Sequence, residues 1–149
     1  DSVVSTIQTE GIILEKLSYQ FANWNRGQAE NKMTQLINRY GTDIELVISN
    51  NDEMALGAAA AYDALGYPQD SRPVILGIDG LDSALEAVKN GYIQGTVYND
   101  KEGQASRISG LALDLFRGKV LPDSDFENGR YIFLPYHKVT ADNVDEFLK

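Results

Sequence analysis

The stretch Leu46-Val47-Ile48-Ser49-Asn50-Asn51-Asp52-Glu53-Met54-Ala55-Leu56-Gly57 decides the fold. A short apolar run ends in amide and carboxylate side chains and passes at once into a helix-forming segment. Such a run predicts a buried parallel strand, because a strand covered on both faces loses its polar alternation. The Asn/Asp cluster behind it can cap the next helix. It can also aim polar groups into the crevice beyond the strand's carboxyl end, where open α/β sheets bind ligands. The same junction recurs at Ile75-Leu76-Gly77-Ile78-Asp79-Gly80 and at Gly95-Thr96-Val97-Tyr98-Asn99-Asp100, so successive strands deliver Asn51, Asp79 and Asn99 to one edge.

Working outward, Asp1 to about Glu10 is expected to be a helix, with Val3, Val4 and Ile7 on one face and Gly11 as terminator. Ile12 to Tyr19 alternates apolar and polar residues as a half-buried strand does, and Phe21-Ala22-Asn23-Trp24 follows as a loop. Helices are predicted at Asn25–Arg39, Asp52–Leu65, Ser83–Asn90 and Asp100–Arg117, with Gly41, Gly66, Gly91 and Gly118 near their ends. Strands are predicted at Ile44–Ser49, Val74–Ile78 and Ile93–Tyr98. The resulting βαβαβαβ order implies a parallel sheet with right-handed crossovers. Val120–Gly129, with its Pro, Asp and Asn, reads as a loop before a strand at Tyr131–Leu134; Pro135-Tyr136 reads as a connector and Ala141–Leu148 as a closing helix.

Composition narrows the function. The 149 residues are 43% apolar and 23% charged, ordinary for a globular domain, and the net charge of −9 with scattered Lys and Arg disfavours nucleic acid and anionic lipid as partners. The absence of cysteine excludes disulfides, thiolate metal sites and a Cys nucleophile. No apolar run reaches the ~20 residues that span a bilayer, and Asp1-Ser2-Val3-Val4-Ser5 lacks the regions of a signal peptide. The chain is thus expected to be intracellular, mature or a fragment.

The strand-end residues suit a neutral ligand rich in hydroxyls. Each polar group left unpaired on burial costs about 1–3 kcal/mol, so such a ligand needs fixed donors and acceptors. Asn donates and accepts at once, and an ionised Asp accepts from two hydroxyls. Trp24, in the loop after the first expected strand, would offer a flat apolar surface to the C–H face of a sugar ring. Taken singly, Asn51 and Asn99-Asp100 are also good helix starts, Asp79-Gly80 a turn, and Trp24 a packing residue. Their coincidence at successive strand ends is what favours binding. Catalytic machinery is poorly supplied: the only histidine, His137, has no nucleophile motif nearby, and no glycine-rich nucleotide loop is present. Asp52, Glu53, Asp79, Asp82 and Asp100 could be imagined as an acid/base or metal cluster, but they read better as caps or solvated groups.

These residues carry a resemblance. The blocks Trp24-Asn25-Arg26-Gly27-Gln28-Ala29, Val47 through Gly57, Gly77-Ile78-Asp79-Gly80, Gly95 through Asp100 and Pro135-Tyr136 resemble the C-terminal half of type I periplasmic-binding-protein-like sugar receptors, most closely those for galactose and glucose. The resemblance implies an incomplete three-layer α/β/α lobe built on a parallel sheet. Residues 1–98 and 136–149 would form that C-terminal lobe, lacking its first strand, and residues 99–135 would cross into the missing N-terminal lobe. It implies Trp24 as the ring-stacking residue and Asn51, Asp79 and Asn99 as hydroxyl ligands. Glu45, otherwise an exposed residue at a strand start, matches a carboxylate that completes a calcium site in the intact receptors. The rest of that site lies upstream, so no cofactor is expected here.

The function implied is capture of a galactose- or glucose-like monosaccharide in a cleft between lobes, outside the cytoplasm, for an ABC transporter permease or a chemoreceptor, with no enzymatic step. Alone, the half site would bind sugar weakly or not at all. Leu111, Leu115, Phe116 and Phe133 would expose apolar surface and favour repacking or a segment-swapped homo-oligomer. The runner-up is the effector-binding core of a LacI-type transcription regulator, which shares the fold. A flavodoxin-like enzyme or receiver domain, with Asp79 or Asp52 at Mg²⁺ or phosphate, is a third reading.

Overall fold

The computed structural model describes residues 9–122 and 126–148. The helix expected over Asp1–Glu10 lies almost wholly outside them. The elements run α1 (Arg26–Tyr40), β1 (Leu46–Ile48), α2 (Asp52–Ala64), β2 (Val74–Leu76), α3 (Asp82–Lys89), β3 (Thr96–Asn99), α4 (Lys101–Phe116) and β4 (Tyr136–Val139), with short 3₁₀ turns at Gly41–Asp43, Gln69–Ser71 and Val144–Glu146.

The helices start where side chains satisfy their free N–H groups. Asn25 Oδ1 accepts from Gln28 N at 2.9 Å, Asn51 Oδ1 from Met54 N at 3.0 Å and Asp100 Oδ1 from Gly103 N at 2.9 Å. Along α1, Ala29, Met33 and Ile37 recur every fourth residue and are buried. They pack along α2, whose alanines bring the two helices close. The tightest approach is at Gly57, where a Cβ would fall 2.2 Å from the Arg26 carbonyl oxygen.

β1 and β2 pair in parallel, Val47 opposite Ile75. Single parallel bridges, Leu76 to Gly95 and Asp79 to Tyr98, carry the sheet from β2 to β3. Backbone bonds run throughout: Gly77 N to Gly95 O at 3.0 Å and Asp79 N to Val97 O at 2.9 Å. The core beneath joins Met33, Ile37, Ala55, Tyr62, Ile75, Leu85, Val88 and Ile93, all buried. The expected α/β architecture is thus present. Of its three layers, the described residues supply the sheet and the helical layer on one face. Ile48 and Val74, on the other face, remain 50% and 44% exposed.

Several sequence expectations are corrected. Ile12–Tyr19 is coil, not strand, and Ile13 is 94% exposed. Alternation alone does not make a strand: among the described residues no strand pairs with it, and its carbonyl at Leu17 is met only by the Tyr40 hydroxyl at 3.0 Å. Tyr131–Leu134 likewise makes only one bridge, from Tyr131 to Glu127. The connector at Pro135-Tyr136 instead opens a true strand, β4, antiparallel to β3 with Asn99 opposite Tyr136. The expected helix Ala141–Leu148 shrinks to the turn Val144–Glu146. There Asn143 bonds locally, its Oδ1 accepting from Thr140 N and its Nδ2 donating to Lys138 O, both at 2.9 Å, and holds a φ of −133° that no α-helix allows.

Candidate functional site

The carboxyl ends of β1, β2 and β3 form one continuous rim. Asp52 N donates to Ile78 O at 2.7 Å, and Asn99 N to Asp79 O at 3.0 Å, so the residues after each strand are joined edge to edge. Asn51, Asp79 and Asn99 all stand on this rim. Trp24 reaches it by another route. The Arg26 guanidinium binds both Glu53 carboxylate oxygens at 3.0 Å, pinning the start of α1 beside the first turn of α2. At 45% and 39% exposure the pair adds under about 1 kcal/mol of stability. Its consequence is positional, because it sets Trp24 at the same end of the sheet as Asn51.

The backbone presents two of these residues under strain. Asn23 and Trp24 lie at φ 49° and 59°, and Asp79 at φ 122°, in the left-handed region that non-glycine residues avoid at a cost of about 1–3 kcal/mol each. For Trp24 the result is an indole held 64% exposed, where burial would be worth more to stability. Asp79 is followed by Gly80, also at positive φ, where a Cβ would meet the Tyr98 ring at 2.4 Å. The turn is therefore pressed against β3. Sequence reasoning found the Asp-Gly pair but had no signal for the strain at Trp24.

The polar groups are only partly committed to the fold. Asn51 is 8% exposed and uses its oxygen for the α2 cap, which leaves its amide hydrogens for another acceptor. The Asp79 carboxylate accepts no hydrogen bond among the described residues, and partial burial raises it above the usual 3.8. Asn99 is half-buried, with its oxygen accepting from Gln104 Nε2. Amide groups and a carboxylate thus stand at successive strand ends, and an exposed indole lies just ahead of α1. His137 lies exposed on β4 with its ring 5.9 Å from Phe147.

Asp52 is the residue whose role the sequence concealed. It is not a solvated acid of the first turn but is fully buried, accepting from Thr96 Oγ1 at 2.6 Å and Leu81 N at 2.8 Å. Desolvation raises its carboxyl above 3.8 against those hydrogen bonds. Glu45 stands exposed before β1, and no group of three or more His, Asp or Glu able to hold a metal occurs among the described residues. A groove of about 370 Å³ between α4 and the segment before β4 is walled by Ile108, Leu111 and Phe133 with Arg107 and Arg130. It meets the rim only near Asn99, through Gln104 and Tyr136.

A profile for the periplasmic binding protein domain matches residues 1–119. The chain belongs to the periplasmic binding protein family. It is 39% identical over 97% of its length to a Rhizobium meliloti protein named for rhizopine binding, covering 43% of that protein. With the D-galactose/methyl-galactoside binding periplasmic protein MglB of Haemophilus influenzae it shares 35% identity over 99% of its length and 44% of the relative's. A Bacillus halodurans ABC transporter solute binding protein crystallised with myo-inositol superposes with a TM-score of 0.81 at 34% identity, over 96% of this chain and 46% of that one. This periplasmic binding protein chain thus spans just under half the length of the relatives it matches. The α/β lobe expected from the sequence is the fold of that family.

Proposed function

We propose that this chain forms one wall of the ligand cleft of an extracytoplasmic solute receptor that captures a galactose- or glucose-like monosaccharide, or a related polyol, for an ABC transporter permease or chemoreceptor. The observation that carries this reading is the rim. Three amide or carboxylate side chains follow consecutive parallel strands, beside an indole that the backbone holds exposed at the cost of strain. Trp24 stacks on the apolar face of the ring, Asp79 accepts from two neighbouring hydroxyls, and Asn51 and Asn99 complete the pattern. Stacking contributes about 0.5–1.5 kcal/mol beyond area burial, and each polar bond about 1 kcal/mol. The names of the relatives, which mention galactoside and inositol ligands, support the ligand class.

The same reading assigns residues 1–98 and 136–149 to one lobe and 99–135 to a second, opposing lobe. Support comes from α4, which contributes no buried residue and leaves Ile108, Leu115 and Phe116 exposed. Hinge closure near Asn99 and Pro135 would trap the ligand, and no chemical step follows. Glu45 serves calcium only with oxygens supplied from outside this chain. In the absence of the other lobe, the exposed segment is covered by a segment-swapped second copy.

Because Trp24 is the sole tryptophan, its fluorescence reports on this rim alone. Titration with D-galactose, D-glucose and myo-inositol is expected to give a saturable emission change with at least one of them, at concentrations on the order of millimolar, as one wall of a cleft allows. Asp79→Ala should abolish it. A flat response to all three sugars overturns the reading.

A further inference from the structure

We propose that Asp52 is the positioning residue of the rim, a buried clamp that fixes Asp79 relative to Asn51; its relevance to sugar rests on the function proposed above. Asp52 grips both sides of the Asp79-Gly80 turn. Its backbone N–H donates to Ile78 O at 2.7 Å, and its Oδ2 accepts from Leu81 N at 2.8 Å. The two residues between, Asp79 and Gly80, stand at φ 122° and 72°. The other carboxylate oxygen accepts a hydrogen bond from the Thr96 hydroxyl at 2.6 Å, which anchors the clamp to β3.

Three features separate this from ordinary capping. An acidic residue in the first turn of a helix normally acts on the helix dipole from the surface, but Asp52 is fully buried. The cap of α2 is already made by Asn51 Oδ1, so the carboxylate is not needed there. And Gly77 directly follows β2, where a Cβ would lie 2.2 Å from Asp52 Oδ1, so only a residue without a side chain admits the carboxylate there. A buried carboxyl carries a desolvation cost that a fold keeps only for what its bonds hold in place. Here they hold a turn in which Asp79 keeps a φ that a non-glycine residue disfavours.

The test uses the ¹⁵N-labelled chain and its Asp52→Ala, Asp52→Asn and Thr96→Val variants, read by amide hydrogen exchange, by the Asp79 HN–Hα coupling that reports φ, and by Trp24 fluorescence with D-galactose. In Asp52→Ala, exchange at Leu81 should speed up roughly tenfold and the Asp79 coupling should shift, while Val88 and Ile93 in the core keep their protection. Asp52→Asn should restore Leu81 protection, because the amide oxygen still accepts there. The galactose response should weaken in Asp52→Ala and recover in Asp52→Asn. Unchanged Leu81 exchange in Asp52→Ala, or loss of protection at Leu81, Val88 and Ile93 alike, overturns the clamp. If Asp52→Ala does not fold, Thr96→Val decides by the same criterion: faster exchange confined to the Leu81 turn supports the clamp, and uniform loss overturns it. If the wild-type chain ignores galactose and the other sugars, the functional reading fails, and the exchange pattern still judges the clamp.

Discussion

At Asp79 the needs of folding and of binding oppose each other. A φ of 122° suits glycine, and the carboxyl is partly desolvated without a hydrogen-bond donor among the described residues. Asp79→Gly should therefore raise stability by about 1 kcal/mol, seen as a higher urea midpoint, while removing the sugar response. A lower midpoint would show that Asp79 supports the fold instead. Asp52 gives a second test through pH. Burial lifts its carboxyl above 3.8, so the folded state keeps a proton that the unfolded chain has released. Stability contributed by this group is thus lost as pH rises from 3.8 through the raised value, and is level above it. Urea midpoints for Asp52→Asn should fall less steeply than wild type over that window, with Asp79, raised for the same reason, supplying the rest. An identical slope would contradict the assignment. Asp63, held low by Tyr92 and Arg72, acts with opposite sign and only below 3.8. The positions of Asn51, Asp79 and Asn99 were legible because each follows an apolar run. What those side chains do to the backbone was not, since φ at Trp24 and burial at Asp52 arise from contacts distant in sequence.

Among the elements, α1 and α2 are the pair on which Trp24 depends. Gly57→Ala would drive a methyl group into the Arg26 carbonyl, separating the helix starts at an expected cost of about 1–3 kcal/mol in urea denaturation. It should also weaken the sugar response, because Trp24 precedes Arg26 by two residues. A stable variant with an unchanged response would break the link between helix packing and the indole. The helices were the readable elements: caps at Asn25, Asn51 and Asp100 and glycines at their ends are local signals. Strands were read less well, for a physical reason. Ile12–Tyr19 has the right alternation and no pairing strand among the described residues, whereas Pro135-Tyr136 reads as a connector and Tyr136–Val139 is a strand because β3 is there to pair with it. Alternation reports which side chains can be buried, and pairing is decided elsewhere in the chain.

Over the whole molecule, apolar exposure is uneven. Ile108, Leu115, Phe116, Val120 and Phe133 lie on or after α4 and are between 63% and 89% exposed, while Ile75, Leu85 and Ile93 are buried under α2 and α3. The chain alone should therefore self-associate, and Phe116→Ser with Leu115→Ser should shift sedimentation toward monomer. A wild-type chain that sediments as a monodisperse monomer at micromolar concentration would contradict that. Asn51 and Asp79 lie on the packed side of this division, which is why the rim can be tested in this chain alone. The most direct measurement is ¹⁵N chemical-shift mapping during titration with D-galactose and myo-inositol. Saturable shifts are expected at the Trp24 indole, Asn51, Asp79 and Asn99, with α3 silent. Shifts confined to the groove at Arg107 and Arg130, or none at either site, would contradict it.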